Sequence, residues 1–226
     1  AMRQIDAPLA ERMKHITHGM MRFASGKMSS RKGNVVTGES LINETIDLIK
    51  EKIIESKPEN AETDAIATNS ALEKKIAVSA IKFAILRGAI GGDIIYDQNK
   101  ALSFEGDSGP YLQYTAVRAG ALIEKGKALN ISPSSENPVA GTEILERLLP
   151  RFLEVVERAQ REWAPHYIVT YLLELAQEFN SWYGQGKIVD DGDVSGTAYR
   201  LYVASSVRQS LINGLWVLGI ETPERM

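Results

Sequence analysis

"WAPHYIVTYLLELAQEFNSWY", Trp163 to Tyr183, is the stretch that decides the fold. Its apolar residues Ile168, Leu172, Leu175, Phe179 and Trp182 recur at steps of three and four, which places them on one face of a helix. Pro165 stands just before the stripe, where a first-turn proline sacrifices nothing because that N–H has no intrahelical partner. The same period continues downstream through Leu201, Ala204, Val207, Leu211, Leu215 and Leu218, over about 197–218. Upstream, Leu145, Leu148, Leu149, Phe152 and Val156 carry it over about 142–163, and Pro150 is expected to kink or split that helix. Pro110 opens a further helix in the same way as Pro165.

Nearer the start, Leu72, Ile76, Ala80, Phe83 and Leu86 mark a helix ending near Arg87-Gly88, and Ile42, Ile46, Ile49 and Ile53 mark another. Polar or glycine-rich stretches separate the helices: "SKPENAETDA" at 56–65, "GAIGGDIIYDQNKALSFEGDSG" at 88–109 and "NISPSSENPVAGT" at 130–142. The second of these reads as an irregular, extended connector. The first forty residues are short apolar pieces broken by Gly, Ser and Pro; "HITHGMMRFAS" at 15–25 holds room for one short strand. No fixed period repeats. The expected fold is mainly α, a helical bundle with a short mixed segment in front.

The 226 residues carry a net charge of −3, with 44% hydrophobic and 24% charged residues, a composition that supports a sizeable core. There is no cysteine, so disulfides and thiolate metal sites are excluded. No apolar run approaches the roughly 18 residues of a membrane span, and the default expectation is a cytoplasmic protein with no membrane partner. Charge is unevenly spread: the chain through Lys32 carries +5 by count, which leaves −8 for the remainder. A locally basic end suits a phosphate-bearing partner, while composition alone favours a solvated surface.

"GKMSSRKGN", Gly26 to Asn34, concentrates that charge in Lys27, Arg31 and Lys32 among serines and glycines. Such a loop can close over a polyphosphate and stabilise charge that builds there. It lacks the G-x-x-x-x-G-K-[ST] pattern of a Walker loop. "KMSSRKGN" resembles the KMSKS signature of class I aminoacyl-tRNA synthetases. Lys27 keeps the first lysine, Ser30 stands where the family has its second, and Lys32 is the nearest substitute charge. "AIKFAILR", "DIIYDQNKALSFEGDSGPYLQYTAVR", "RQSLINGLWVLGI" and the terminal "PERM" narrow the resemblance to arginyl-tRNA synthetases, over essentially the whole chain from His15. The helical half resembles the DALR anticodon-binding domain, whose four naming letters fall on Ser205, Ser206, Val207 and Arg208.

The resemblance implies a domain plan and a set of roles. Residues 1–56 would be the tail of a Rossmann catalytic domain with its loop. Residues 57–226 would be an α-helical anticodon-binding domain, with its DALR-like core at about 109–226. Lys27, Met28, Ser29, Ser30 and Lys32 would be the catalytic loop, with Lys27, Lys32 and Gly33 holding ATP. ATP would be a substrate, with Mg2+ expected, and the partners would be arginine and arginine tRNA, with the protein a monomer. The family's HIGH motif is expected far upstream of the loop. "KHITHGM" has only about fifteen residues before it, too few for a βαβ unit of roughly thirty. Ala1 before Met2 reads as a cloning remnant. The chain is therefore expected to be the C-terminal portion of a longer enzyme and inactive by itself.

For the anticodon, unpaired bases offer faces to aromatic rings and guanidinium planes. Tyr111 and Arg118 lie seven apart and so share a helix face, presenting a ring beside a cation. Asn180, Tyr183, Arg208 and Met226 complete the expected anticodon-binding set, with Asn213 a polar neighbour and Phe179 read as core. His15, His18 and His166 are read as surface or packing residues, and no metal site is expected. Two other readings compete: another class I synthetase, such as the cysteine or methionine enzyme, and a non-enzymatic helical module that binds RNA or protein.

Overall fold

The computed structural model describes residues 2–23, 37–55 and 70–226, without the side chains of 53–55. The chain order is α1 (Met2–Ile5), α2 (Ala7–Glu11), β1 (Met21–Phe23), α3 (Gly38–Glu55), α4 (Ser70–Leu86), β2 (Ile94–Tyr96), α5 (Gln98–Ala101), α6 (Gly109–Ala128), α7 (Glu143–Leu148), α8 (Arg151–Glu162), α9 (His166–Gly184) and α10 (Val194–Val217). The architecture is mainly α, as the periodicity requires. Lys27, Met28, Ser29, Ser30, Lys32 and Gly33 lie outside the described residues.

Local chemistry sets the helix ends. Ser108 accepts the Tyr111 N–H at 3.0 Å and so caps α6, with Pro110 in the first turn. Asp193 does the same for α10 through the Gly196 N–H at 3.0 Å. The expected break at Pro150 is real: α7 ends at Leu148 and α8 begins at Arg151. α8 stops at Trp163, whose φ of 58° is left-handed and turns the chain toward Pro165.

The main core lies between α6, α9 and α10. Leu112, Ala116 and Ala119 meet Leu172, Leu175, Ala176 and Phe179, and both rows meet Leu201, Ala204, Val207, Leu211 and Leu215. A smaller cluster joins α3, α4, β2 and α5 through Leu41, Ile49, Ile76, Ala77, Ala80, Tyr96 and Leu102. α4 packs on α3 on one side and on α6 on the other, so it is the shared wall of the two clusters.

Two expectations change. The stretch 88–109 is not wholly irregular: β2 pairs in parallel with β1, Met21 opposite Ile94 and Phe23 opposite Tyr96, and α5 follows on an Asp97 cap. A three-residue strand carries no period of its own, and its partner lies some seventy residues upstream, beyond any local signal. The short helices α1 and α2 were not expected either; Asp6 caps α2 by accepting the Leu9 N–H at 3.0 Å. Among the described residues, no helix is long and apolar enough to cross a membrane.

Candidate nucleic-acid interface

Four of the six helical-half candidates, Tyr111, Arg118, Asn180 and Tyr183, converge where α6 faces α9. Arg118 donates through Nη1 to the Asn180 Oδ1 and through Nη2 to the Tyr114 hydroxyl at 3.2 Å. The Asn180 Nδ2 donates to the Tyr111 hydroxyl at 3.0 Å and to the Thr115 Oγ1 at 2.9 Å. The Arg118 Cζ stands 4.7 Å from the Tyr114 ring centre and 4.8 Å from that of Tyr183, within cation–π range of both. Arg118, Tyr114, Asn180 and Tyr183 are all half-buried. The cluster is thus partly desolvated, which strengthens its electrostatics, while it stays open to a ligand.

Tyr111 departs from the expectation of an open stacking face. It is only 9% exposed and belongs to the main core. Spacing by seven correctly puts Tyr111 and Arg118 on one face, and both reach Asn180 of α9, but Tyr111 is buried in the main core while Arg118 stays half-buried. Phe179 is core, as read, at 0% exposure, and it packs beneath Tyr183 with ring centres 6.3 Å apart. Tyr114 was missed. It lies three residues after Tyr111 and four before Arg118, a spacing that could have named it, and Phe104 meets its ring edge-on at 6.3 Å.

Arg208 and Met226 form a second group on the opposite side of α6. A Cβ on Gly120 would lie 3.0 Å from the Arg208 Nε, so the arginine lies across the helix at that glycine. Gly120, Lys125, Arg208, Arg225 and Met226 line one groove of about 870 Å³. Met226 is half-buried against the smaller cluster. Asn213 accepts from the Gln209 side chain at 2.8 Å on the outer surface of α10. The structure therefore divides the six candidates into two groups.

The histidines lie apart from both groups: the His18 Nδ1 is 3.0 Å from the Gly19 carbonyl, and the His166 ring rests 4.4 Å from that of Tyr167. Among the described residues, no three His, Cys, Asp or Glu side chains are placed to hold a metal ion.

Comparison with known proteins adds an independent line. Residues 112–226 match the family described as "DALR anticodon binding domain", and residues 1–97 match "tRNA synthetases class I (R), catalytic domain". The arginine–tRNA ligase of Clostridium kluyveri is 32% identical over 226 residues, covering 96% of this chain and 38% of the relative. That of Borreliella burgdorferi is 33% identical over 218 residues, covering 93% and 36%. The chain belongs to the arginyl-tRNA synthetase family. It spans about 38% of the length of the first of these curated relatives.

Solved structures of arginyl-tRNA synthetases agree. The Thermus thermophilus arginyl-tRNA synthetase matches with a TM-score of 0.81 and 26% identity, covering all of this chain (100%) and 38% of the other. A Plasmodium falciparum arginyl-tRNA synthetase shares the fold with a TM-score of 0.72 at 17% identity, over 99% of this chain and 39% of the other. In this member of the arginyl-tRNA synthetase family, the catalytic-domain match ends at Asp97, the cap of α5, and the DALR match begins at Leu112, in the first turn of α6. Arg118, Asn180, Tyr183, Arg208 and Met226 fall inside the DALR match, and Tyr111 immediately precedes it.

Proposed function

We propose that this chain contributes the anticodon-binding surface of an arginine–tRNA ligase, together with the loop that engages ATP phosphates during arginine activation. The observation that carries the reading is the half-buried Arg118, held between Tyr114 and Tyr183 inside the DALR segment. Cations and rings presented together suit unpaired nucleotides, whose faces stack and whose edges and phosphates accept hydrogen bonds. Arg118, Tyr183, Arg208 and Met226 are the proposed anticodon-contacting residues, with Asn180 and the core residue Tyr111 supporting Arg118 from behind. Lys27, Met28, Ser29, Ser30, Lys32 and Gly33 are the proposed phosphate loop, acting in formation of the aminoacyl-adenylate.

Residues 1–56 then belong to the catalytic side and 57–226 to the helical side, whose DALR-like core begins at about 109. α4 forms the seam because it packs both ways. The substrates are arginine, arginine tRNA and ATP with Mg2+, and the enzyme works as a monomer in the cytoplasm. The test is binding of an isolated anticodon stem-loop of arginine tRNA to the 226-residue chain. Binding that weakens roughly ten- to hundredfold for a stem-loop of unrelated anticodon sequence is expected. Equal affinity for both RNAs would remove the anticodon reading.

A further inference from the structure

We infer that Asn180 is a positioning residue that holds Arg118 so that its free donors meet a hydrogen-bond acceptor on the RNA. The inference rests on the anticodon reading above and specifies how its central cation works. The orientation of the amide follows from its partners. The Thr115 hydroxyl donates its single proton to the Tyr111 carbonyl at 2.8 Å, so toward Asn180 its oxygen can only accept. The group 2.9 Å from it must therefore be the amide nitrogen. That leaves the Asn180 Oδ1 facing Arg118, whose nitrogens can only donate. Every hydrogen-bonding position of the amide that faces the cluster is matched in one orientation alone.

The guanidinium is fixed by what surrounds it. One Nη1 proton goes to Asn180 and one Nη2 proton to Tyr114. The ring centres of Tyr114 and Tyr183 stand 4.7 and 4.8 Å from Cζ, so two rings crowd the guanidinium. Three of its five N–H groups have no partner among the described residues, and these lie in the guanidinium plane. An RNA group meets Arg118 through those donors, as a phosphate oxygen or an acceptor on a base edge. Asn180 itself has no donor left for RNA, so it acts through Arg118.

The test is a double-mutant cycle on the full chain, with the anticodon stem-loop as ligand. Asn180→Ala is expected to weaken binding about tenfold when Arg118 is present, the order of one hydrogen bond to a charged group. It is expected to add nothing once Arg118→Ala has been made. Equal losses in both backgrounds would overturn the positioning role. A second readout needs no RNA: rotation about the Arg118 Nε–Cζ bond, followed by NMR of the guanidinium nitrogens, is expected to be slow in the parent chain and fast in Asn180→Ala. Fast rotation in both would also overturn it. Salt titration separates the two acceptors, since Arg118→Ala lowers the salt slope by about one only where the partner is a phosphate. If Arg118→Ala binds the stem-loop as tightly as the parent, the anticodon reading fails at this site, whatever Asn180 does.

Discussion

Gln113, fully buried on α6, donates through Nε2 to the main-chain oxygen of Glu221 at 2.6 Å. The Glu221 carboxylate meets Lys75 of α4 at 3.1 Å, and Lys82 donates to the Gly219 carbonyl. The segment that ends at Met226 is therefore tied to two helices. Gln113→Ala is expected to lower the unfolding free energy by about 1–3 kcal/mol, because a part-buried hydrogen bond and the packing of a fully buried side chain are lost. Amide hydrogen exchange over 219–226 should accelerate in the same variant. Unchanged protection there would show that the lysines alone hold the segment.

Gly126 on α6 sits against Leu201 of α10, where a Cβ would come within 2.3 Å of the leucine Cδ1. Leu201 is fully buried, so it has little space to yield. Gly126→Ala is expected to cost about 1–3 kcal/mol in urea unfolding through overpacking. Gly184, at the end of α9, has nothing within 4 Å of the same construction, and Gly184→Ala should be neutral or stabilising by up to about 1 kcal/mol. Equal effects at the two glycines would contradict this account of the helix contact.

Tyr111 links core and site through one hydroxyl. Tyr111→Ala removes a ring that is 9% exposed and is expected to cost about 3–5 kcal/mol, a loss that obscures any reading of RNA binding. Tyr111→Phe keeps the ring and loses only the Asn180 contact, for about 1 kcal/mol. Denaturant melts of both variants check the difference. A Tyr111→Ala protein as stable as the parent would return this ring to the surface.

Tyr171 gives a pH signature. Burial pushes its hydroxyl up to about 12, and that hydroxyl donates to the Leu148 carbonyl at 3.3 Å. The folded value lies above the unfolded one, so the contribution is fully present below pH 10 and is lost as pH rises toward about 12. The parent should lose about 2–3 kcal/mol over that window that Tyr171→Phe does not lose, since one pKa unit corresponds to about 1.4 kcal/mol. Parallel stability curves for the two proteins would exclude Tyr171 as the titrating group.

The loop prediction concerns the whole enzyme. Lys27→Ala and Lys32→Ala are expected to slow adenylate formation while changing ATP binding less, because fixed cations act most where charge develops in the transition state. Each loss should amount to roughly 2–4 kcal/mol. ATP–pyrophosphate exchange measures it, and an unchanged kcat in both single variants and the double variant would end the phosphate role.

Much of the helical plan was legible along the chain. The stripe through Ile168, Leu172, Leu175 and Phe179, the break at Pro150 and the openings at Pro110 and Pro165 are local features. Helical periodicity and proline geometry act within a few residues, so a sequence states them directly. Family membership was legible for a related reason: "GPYLQYTAVR" and "PERM" are contiguous strings.

What the tertiary structure decided lies between elements. The spacing of Tyr111 and Arg118 determines that they share a face, but only tertiary packing makes one of them core and leaves the other half-buried. Asn180 becomes the partner of Arg118 because α6 and α9 pack in one register, which a separation of 62 positions does not encode locally. The pairing of β1 with β2 and the separation of Arg208 and Met226 from the Arg118 cluster have the same origin. A chain's period sets directions around its own axis, and burial is set by the neighbour that packing brings to each direction.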